Sequence, residues 1–268
     1  MAVTTRPDIA EGLSPGPGAP LLECTGICKR FGAVEALVDV DFEVYAGEVV
    51  ALVGDNGAGK STLIKAIAGT QPADAGRFRF EGHEVSIRKP SDANQLGIET
   101  VYQDLALCDN LDTVANLYLG RELGRPTMAP GPMQVLSEPE MEEHAAVRMR
   151  ELQVTTIDSL RSRVSSLSGG QRQAVAVARA TLWDAELLIL DEPTAALGVT
   201  QTAQVLDLIK RLRDQGLGIV VITHNIDVVF DVADRIVVLY MGRRTATFDQ
   251  RATTPREVVS AIVGLEEA

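Results

Sequence analysis

Residues 54–61 read Gly54-Asp55-Asn56-Gly57-Ala58-Gly59-Lys60-Ser61. A glycine, four residues and then Gly-Lys-Ser is the phosphate-binding loop pattern. Small residues let successive backbone N–H groups converge on a phosphate chain. Lys60 can reach terminal phosphates, and the Ser61 hydroxyl can hold a magnesium ion. The flanks agree with this reading. Glu48 to Val53 is a buried-strand pattern, and Ser61 to Ala68 has helical spacing. Strand, glycine turn and helix together point a helix N-terminus at an anion.

The 268-residue chain allows one large domain or a core with a small subdomain. Its hydrophobic content of 46% is that of a globular protein. No apolar run reaches membrane-spanning length, and the N-terminus lacks the apolar core of a secretion signal. The expected compartment is therefore the cytoplasm. A formal net charge of −12 disfavours nucleic-acid binding. It also means that positive potential for a polyanion must be concentrated locally, at Lys60, a metal ion and a helix end. Cys24 and Cys28 fall in a predicted strand, ~13 Å apart at ~3.3 Å per residue, too far for a disulfide. Read as sharing one strand face, they are expected to be buried apolar residues. Cys108 stands alone, and no histidine pair lies at zinc spacing.

Residues 1–20 hold four prolines and three glycines and read as a flexible tail. Leu22 to Cys28 and Ala36 to Val44 read as strands. In the second, Val38, Val40, Phe42 and Val44 alternate with Leu37, Asp39, Asp41 and Glu43, as expected of a half-exposed antiparallel strand. Gly97 to Tyr102 is a further strand, ending at Gln103. Helices are expected over Asp112 to Gly120 and Glu140 to Leu152, with Gly124 to Pro139 breaking them. The stretch from about 105 to 165 thus reads as a mainly helical insertion. From Ser168 the pattern alternates helix and strand through Val238, which implies a parallel sheet with covering helices. Pro255 to Val263 reads as a short helix.

Two further motifs bear on chemistry. Glu186 to Asp191 is an apolar strand ending in Asp191-Glu192. In a parallel sheet the ligand lies beyond the C-terminal strand ends. Asp191 can there contact a metal ion or accept from a metal-bound water, and Glu192 can activate a water. The bland reading is a solvated acidic turn. Leu167-Ser168-Gly169-Gly170-Gln171 places Ser168 as an N-cap and Gln171 at the third helical position, a capping box. The helix N-terminus behind it is a second anion site.

Over Leu21 to Glu267 the sequence resembles the ATP-binding cassette family, the ATPases of ABC transporters. The resemblance implies an α/β P-loop NTPase fold of the ABC type, with a mixed-sheet core, an antiparallel β subdomain and a helical subdomain over about 105–165. It implies ATP and Mg2+ as ligands. Gly54, Asn56, Gly57, Ala58, Gly59, Lys60, Ser61 and Thr62 match the Walker A positions, and Phe31 the aromatic that stacks on adenine. Leu187 to Asp191 matches Walker B, with Glu192 as catalytic base. Gln103 matches the Q-loop glutamine, which joins Ser61 and Asp191 around the metal. His224 matches the switch histidine, and Ser168, Gly169, Gly170 and Gln171 the signature. Where the family has Ala-Leu-Asp in the D-loop, this chain has Ala196-Leu197-Gly198. Details resemble ATPases of bacterial monosaccharide importers of the fructose and ribose type. That implies integral-membrane permease partners at the cytoplasmic face of the membrane, a second ATPase subunit forming a homodimer, and an extracytoplasmic sugar-binding protein acting indirectly. Two other classes compete with this reading: a soluble ABC ATPase of translation or DNA maintenance, and a P-loop small-molecule kinase. The first usually brings a second cassette or a long coiled coil, and the second leaves Leu167 to Gln171 unexplained.

Overall fold

The computed structural model describes residues 18–126, 134–154 and 156–265. Most of the expected tail therefore lies outside the described residues. Among the described residues, twelve strands and eight α-helices follow in chain order. The strands are β1 (Leu22–Phe31), β2 (Val34–Val44), β3 (Val49–Val53), β4 (Ala75–Phe80), β5 (His83–Val85), β6 (Ile98–Val101), β7 (Gly124–Pro126), β8 (Gln134–Leu136), β9 (Leu187–Asp191), β10 (Gly218–Ile222), β11 (Arg235–Tyr240) and β12 (Arg243–Asp249). The helices are α1 (Lys60–Ile67), α2 (Pro90–Gln95), α3 (Thr113–Tyr118), α4 (Glu138–Glu151), α5 (Gly169–Ala180), α6 (Val199–Asp214), α7 (Ile226–Val232) and α8 (Pro255–Ile262).

The central sheet has the order β12-β11-β3-β10-β9-β6, with every pairing parallel except β11 with β12. Strands β3, β9 and β10 are apolar almost throughout because helices cover both faces. The period-2 alternation sorts their side chains. Leu187, Ile189, Val220, Ile222, Val50 and Leu52 pack with Leu63, Ile64 and Ile67 of α1. Leu188, Leu190, Ile219 and Val221 point the other way, into a core with Val175 and Val177 of α5 and Leu206 and Ile209 of α6. The sheet thus lies between α1 and α5. Burying one Leu or Ile side chain contributes about 1.5–3 kcal/mol, so this two-sided packing is the main stabilising term.

A separate antiparallel sheet, β2-β1-β4-β5, covers the α1 side. Strand β4 was not anticipated, although Phe78 and Phe80 alternate with Arg77 and Arg79, a half-buried pattern. Two expectations for β1 and β2 are corrected by paired bulges. The register slips between Cys24 and Ile27 and again between Ile27 and Lys29. Gly26 and Asp39 sit at the slips with φ of 64° and 53°. Each extra residue reverses the alternation. Cys24 and Ile27 are therefore buried while Cys28 is only half-buried, so the two cysteines do not share a buried face. Likewise Leu37, not Val38, joins Val40, Phe42 and Val44 in the core. Burial among apolar neighbours pushes the Cys24 thiol pKa up.

Between β6 and α5 lie α3, α4, a 3-10 turn at Val164–Ser166 and the β7-β8 hairpin. The hairpin falls where the prolines of 124–139 predict only a break. Arg161 ties the region together, donating to Glu142, Glu138 and Asp112.

The antiparallel sheet supplies a test. A Cβ at Gly76 (φ +108°) would lie 2.7 Å from the Gly26 carbonyl oxygen and 2.8 Å from Ile27 Cα. Gly76→Ala is expected to cost about 2 kcal/mol. At ~2–4 °C per kcal/mol, Tm by circular dichroism falls by roughly 4–8 °C; an unchanged Tm contradicts the packing described.

Candidate functional site

The loop between β3 and α1 is shaped by its glycines. Gly54, Gly57 and Gly59 have φ of 150°, 82° and 103°, where a side chain is strained. A Cβ on Gly54 would lie 2.2 Å from the Leu239 carbonyl oxygen, and one on Gly59 2.7 Å from that of Ala36. At Gly57 the space is open. The loop is therefore wedged between β11 and β2 and free on its outer side. The Ala58 carbonyl accepts from Gly242 N at 3.0 Å, and Val38 N donates to the Gly242 carbonyl at 2.8 Å. These bonds fix the loop against the β11–β12 turn. Asn56 N donates to the Asp55 carboxylate at 2.7 Å.

Lys60 opens α1. Its ammonium folds over the loop and donates to the Gly54 and Asp55 carbonyls at 2.7 and 3.0 Å. Burial lowers its pKa, and the charges of Glu192, Asp55 and Asp191 oppose that shift. Two of the three Lys60 N–H donors therefore rest on groups of the loop itself. Ser61 is exposed and Thr62 half-buried at the start of the helix.

Asp191 ends β9, opposite Ile222 of β10. Burial and the neighbouring Glu192 charge push its pKa up, with Lys60 and Lys65 acting the other way. Glu192 turns away from the strand with φ +49°, held by its N–H on the Ile222 carbonyl at 2.9 Å. Such a conformation costs on the order of 1–3 kcal/mol for a residue with a side chain. It places the carboxylate among three groups from the end of β10. Glu192 Oε2 accepts from the Thr223 hydroxyl at 3.2 Å. Oε1 accepts from His224 N at 3.2 Å and meets His224 Nδ1 at 2.7 Å. The carboxylate is mostly covered, while the imidazole is 80% exposed. Sequence reasoning missed Thr223, which is fully buried, donates to Glu192 and accepts from Asn225 N at 3.1 Å. Its signal was a threonine directly before His224 at a strand end.

Ser168 caps α5 as a capping box. Its hydroxyl accepts from Gln171 N at 3.3 Å, and Gln171 Oε1 accepts from Ser168 N at 2.8 Å. Gln171 also donates to the Thr156 carbonyl. A Cβ on Gly170 would lie 3.1 Å from Gln201 Cβ, and one on Gly169 3.0 Å from Leu197 Cδ2. The segment 197–201 thus packs against these two glycines. Gly198 provides no side-chain cap to α6, and Gln201 accepts from Gly198 N at 3.3 Å instead. Gln103 is exposed after β6, within the turn closed by Leu105 N on the Tyr102 carbonyl at 2.9 Å. Phe31 ends β1 with 46% of its surface exposed, its ring centroid 5.6 Å from Lys29 Nζ. Hydrogen bonds bring Glu192 and His224 together, and Lys60 feels both acidic residues electrostatically. Ser168 instead bonds Gln171, Gln171 bonds the Thr156 carbonyl, and Gly169 and Gly170 lie against Leu197 and Gln201.

The electrostatics of Asp191 predict a measurable effect. Its folded pKa is raised, so the folded chain binds the proton more tightly than the unfolded chain, and stability falls as pH rises through the carboxylate range. In nucleotide-free protein Asp191→Asn is expected to raise Tm at pH 7, with the gap closing as pH falls towards 4. A lower Tm for the variant at pH 7 contradicts this.

With this geometry in place, comparison with known proteins is specific. The ABC transporter family profile matches residues 37–195. A fructose import ATP-binding protein of Rhizobium meliloti is 45% identical over 92% of this chain and 95% of its own. A xylose/arabinose import ATP-binding protein of Sulfolobus acidocaldarius is 48% identical over 83% of this chain and 86% of its own. A ribose import ATP-binding protein of Rubrobacter xylanophilus is 41% identical over 84% of this chain but only 43% of its own. The crystal structure of a nucleotide-free ATP-binding cassette from an ABC transporter superposes with a TM-score of 0.78 at 26% identity, covering 92% of this chain and 98% of that one. The phosphate-binding loop, the acidic end of β9 and the capped α5 thus belong to an ATP-binding cassette, and the chain is a member of the ABC transporter ATPase family.

Proposed function

We propose that this chain is the ATP-hydrolysing subunit of a monosaccharide importer. Two copies work as a pair at the cytoplasmic face of the membrane, against separate permease subunits, with an extracytoplasmic sugar-binding protein acting through the permease. The names of the relatives support the substrate class, since they are called import proteins for fructose, xylose/arabinose and ribose. Among the described residues no helix is long and apolar enough to cross a membrane, which agrees with a separate permease. The observation that carries the reading is the Glu192–His224 pair beside a glycine cradle whose outer side is open.

The donor set suits a magnesium nucleotide. The cradle offers backbone N–H groups and the α1 N-terminus to phosphate, and Lys60 has only to exchange the Gly54 and Asp55 carbonyls for phosphate oxygens. Ser61, Asp191 and Gln103 are hard oxygen donors of the kind magnesium takes. Once bound, Mg2+ neutralises phosphate charge. The exposed ring of Phe31 offers a stacking face for the base. Glu192, held by Thr223 and by the His224 N–H, takes the proton of a water attacking the γ-phosphorus, as the bond from that phosphorus to the β-γ bridging oxygen breaks. His224 then turns its exposed ring towards the same phosphate.

The layout of the sheet supports the pairing. Helix α1 and its loop lie on one face and α5 with Ser168 and Gly170 on the other. A second copy is therefore the natural source of Ser168 and Gly170 for the phosphates held by Lys60.

Glu192→Gln is expected to lower ATP turnover by about 10²–10⁴-fold while stabilising an ATP-bound dimer in size-exclusion chromatography. Unchanged hydrolysis would remove Glu192 from this role. The import assignment is tested by co-purifying the permease from native membranes and measuring uptake across a sugar panel. ATP-dependent uptake of a pentose or hexose is expected, and failure of every monosaccharide overturns the substrate class.

A further inference from the structure

Leu105 and Ala106 follow Gln103 by two and three residues, and both hold left-handed backbone, with φ of 58° and 47°. Neither is glycine, and each such residue costs about 1–2 kcal/mol. Consecutive strain of this kind persists only where neighbours enforce it. The enforcing group is Arg179, in the last turn of α5. Its Nη1 donates to the Ala106 carbonyl at 2.7 Å and its Nη2 to the Leu105 carbonyl at 3.1 Å. The guanidinium fork thus grips two successive carbonyls that left-handed backbone turns towards α5. Burial lowers the pKa of the group.

The chain beyond this turn is tied as firmly. Buried Asn116 accepts from Cys108 N at 2.7 Å and donates to the Cys108 carbonyl at 3.0 Å. Ser165 N donates to the Asp109 carbonyl at 3.0 Å, and Arg172, on the first turns of α5, lies 3.5 Å from the Asp109 carboxylate. Residues 105–109 therefore run as a strap along α5, hydrogen-bonded to its last turn at Arg179 and ion-paired near its start at Arg172. The Gln103 turn is left between two fixed points, the end of β6 and the Arg179 grip.

We propose that Arg179 is a positioning residue that sets Gln103 by locking the Leu105–Ala106 turn to α5, so that movement of the helix bearing Ser168 moves Gln103 with it. The inference rests on the reading of Gln103 as part of the nucleotide site. Arg179 donates to the Leu105 and Ala106 carbonyls, outside residues 54–61, so its removal loosens the turn and leaves the cradle intact. A lysine keeps the charge but lacks the planar fork, so it restores only part of the grip.

Arg179→Met and Arg179→Lys, in the full chain, separate the cases. In Arg179→Met, hydrogen exchange at the Leu105 amide, which bonds the Tyr102 carbonyl, is expected to quicken at least about tenfold. Turnover at saturating ATP falls on the order of ten- to a hundredfold, with the equilibrium affinity for ATP within about twofold of wild type. Arg179→Lys restores part of both. Wild-type exchange at Leu105 in Arg179→Met overturns the proposal. So does an equal loss of turnover and ATP affinity in both variants, which marks a merely structural role. The exchange measurement needs no hydrolysis, so absence of turnover in the wild-type protein sinks the ATPase reading and leaves the grip on the turn to be judged separately.

Discussion

The parallel sheet is apolar on both faces, and the rest of the molecule follows from that. Strands β3, β9 and β10 cannot leave either face to water, so helices must cover both. The alternation of side chains sends Val50, Leu52 and Ile189 to α1, and Leu188, Leu190 and Val221 to α5. One helix opens with the phosphate cradle and the other with the Ser168 cap. The hydrophobic effect that stabilises the domain therefore also parts the phosphate cradle from the Ser168 cap, which is the ground for proposing that a second chain joins them.

Polar groups gather where the strands end. The loop after β3, the Asp191–Glu192 turn after β9 and the Thr223–His224 turn after β10 lie at the same edge of the sheet. A chain with a net charge of −12 concentrates its chemistry there. Several donors at this edge bond to the protein itself: Lys60 to two carbonyls, and His224 N and Thr223 to Glu192. Nucleotide binding is then an exchange of partners, which keeps buried groups satisfied in both states.

Much of this was legible in the sequence where a short run of residues carries its own backbone demand. Gly54 and Gly59 need conformations and clearances that only glycine meets, and Ser168 with Gln171 closes a box within one turn. The apolar strands β9 and β10 declared themselves by burial alone. What stayed hidden depends on distant partners. The bulges at Gly26 and Asp39 reversed the faces of β1 and β2, because a phase slip leaves no mark in an alternating pattern read one strand at a time. Arg179 gave no sign, since it bonds carbonyls more than seventy residues away and a carbonyl has no sequence signature. Thr223 acts through a hydroxyl whose partner lies on the next strand.

The claim on which the account stands is that each nucleotide needs two chains, and its most direct test is the ATPase rate per chain as a function of chain concentration. Turnover per chain is expected to rise with concentration through the dimerisation range and to level off once the protein is paired. A rate per chain that stays constant under dilution, with the protein shown to be monomeric by light scattering, contradicts it.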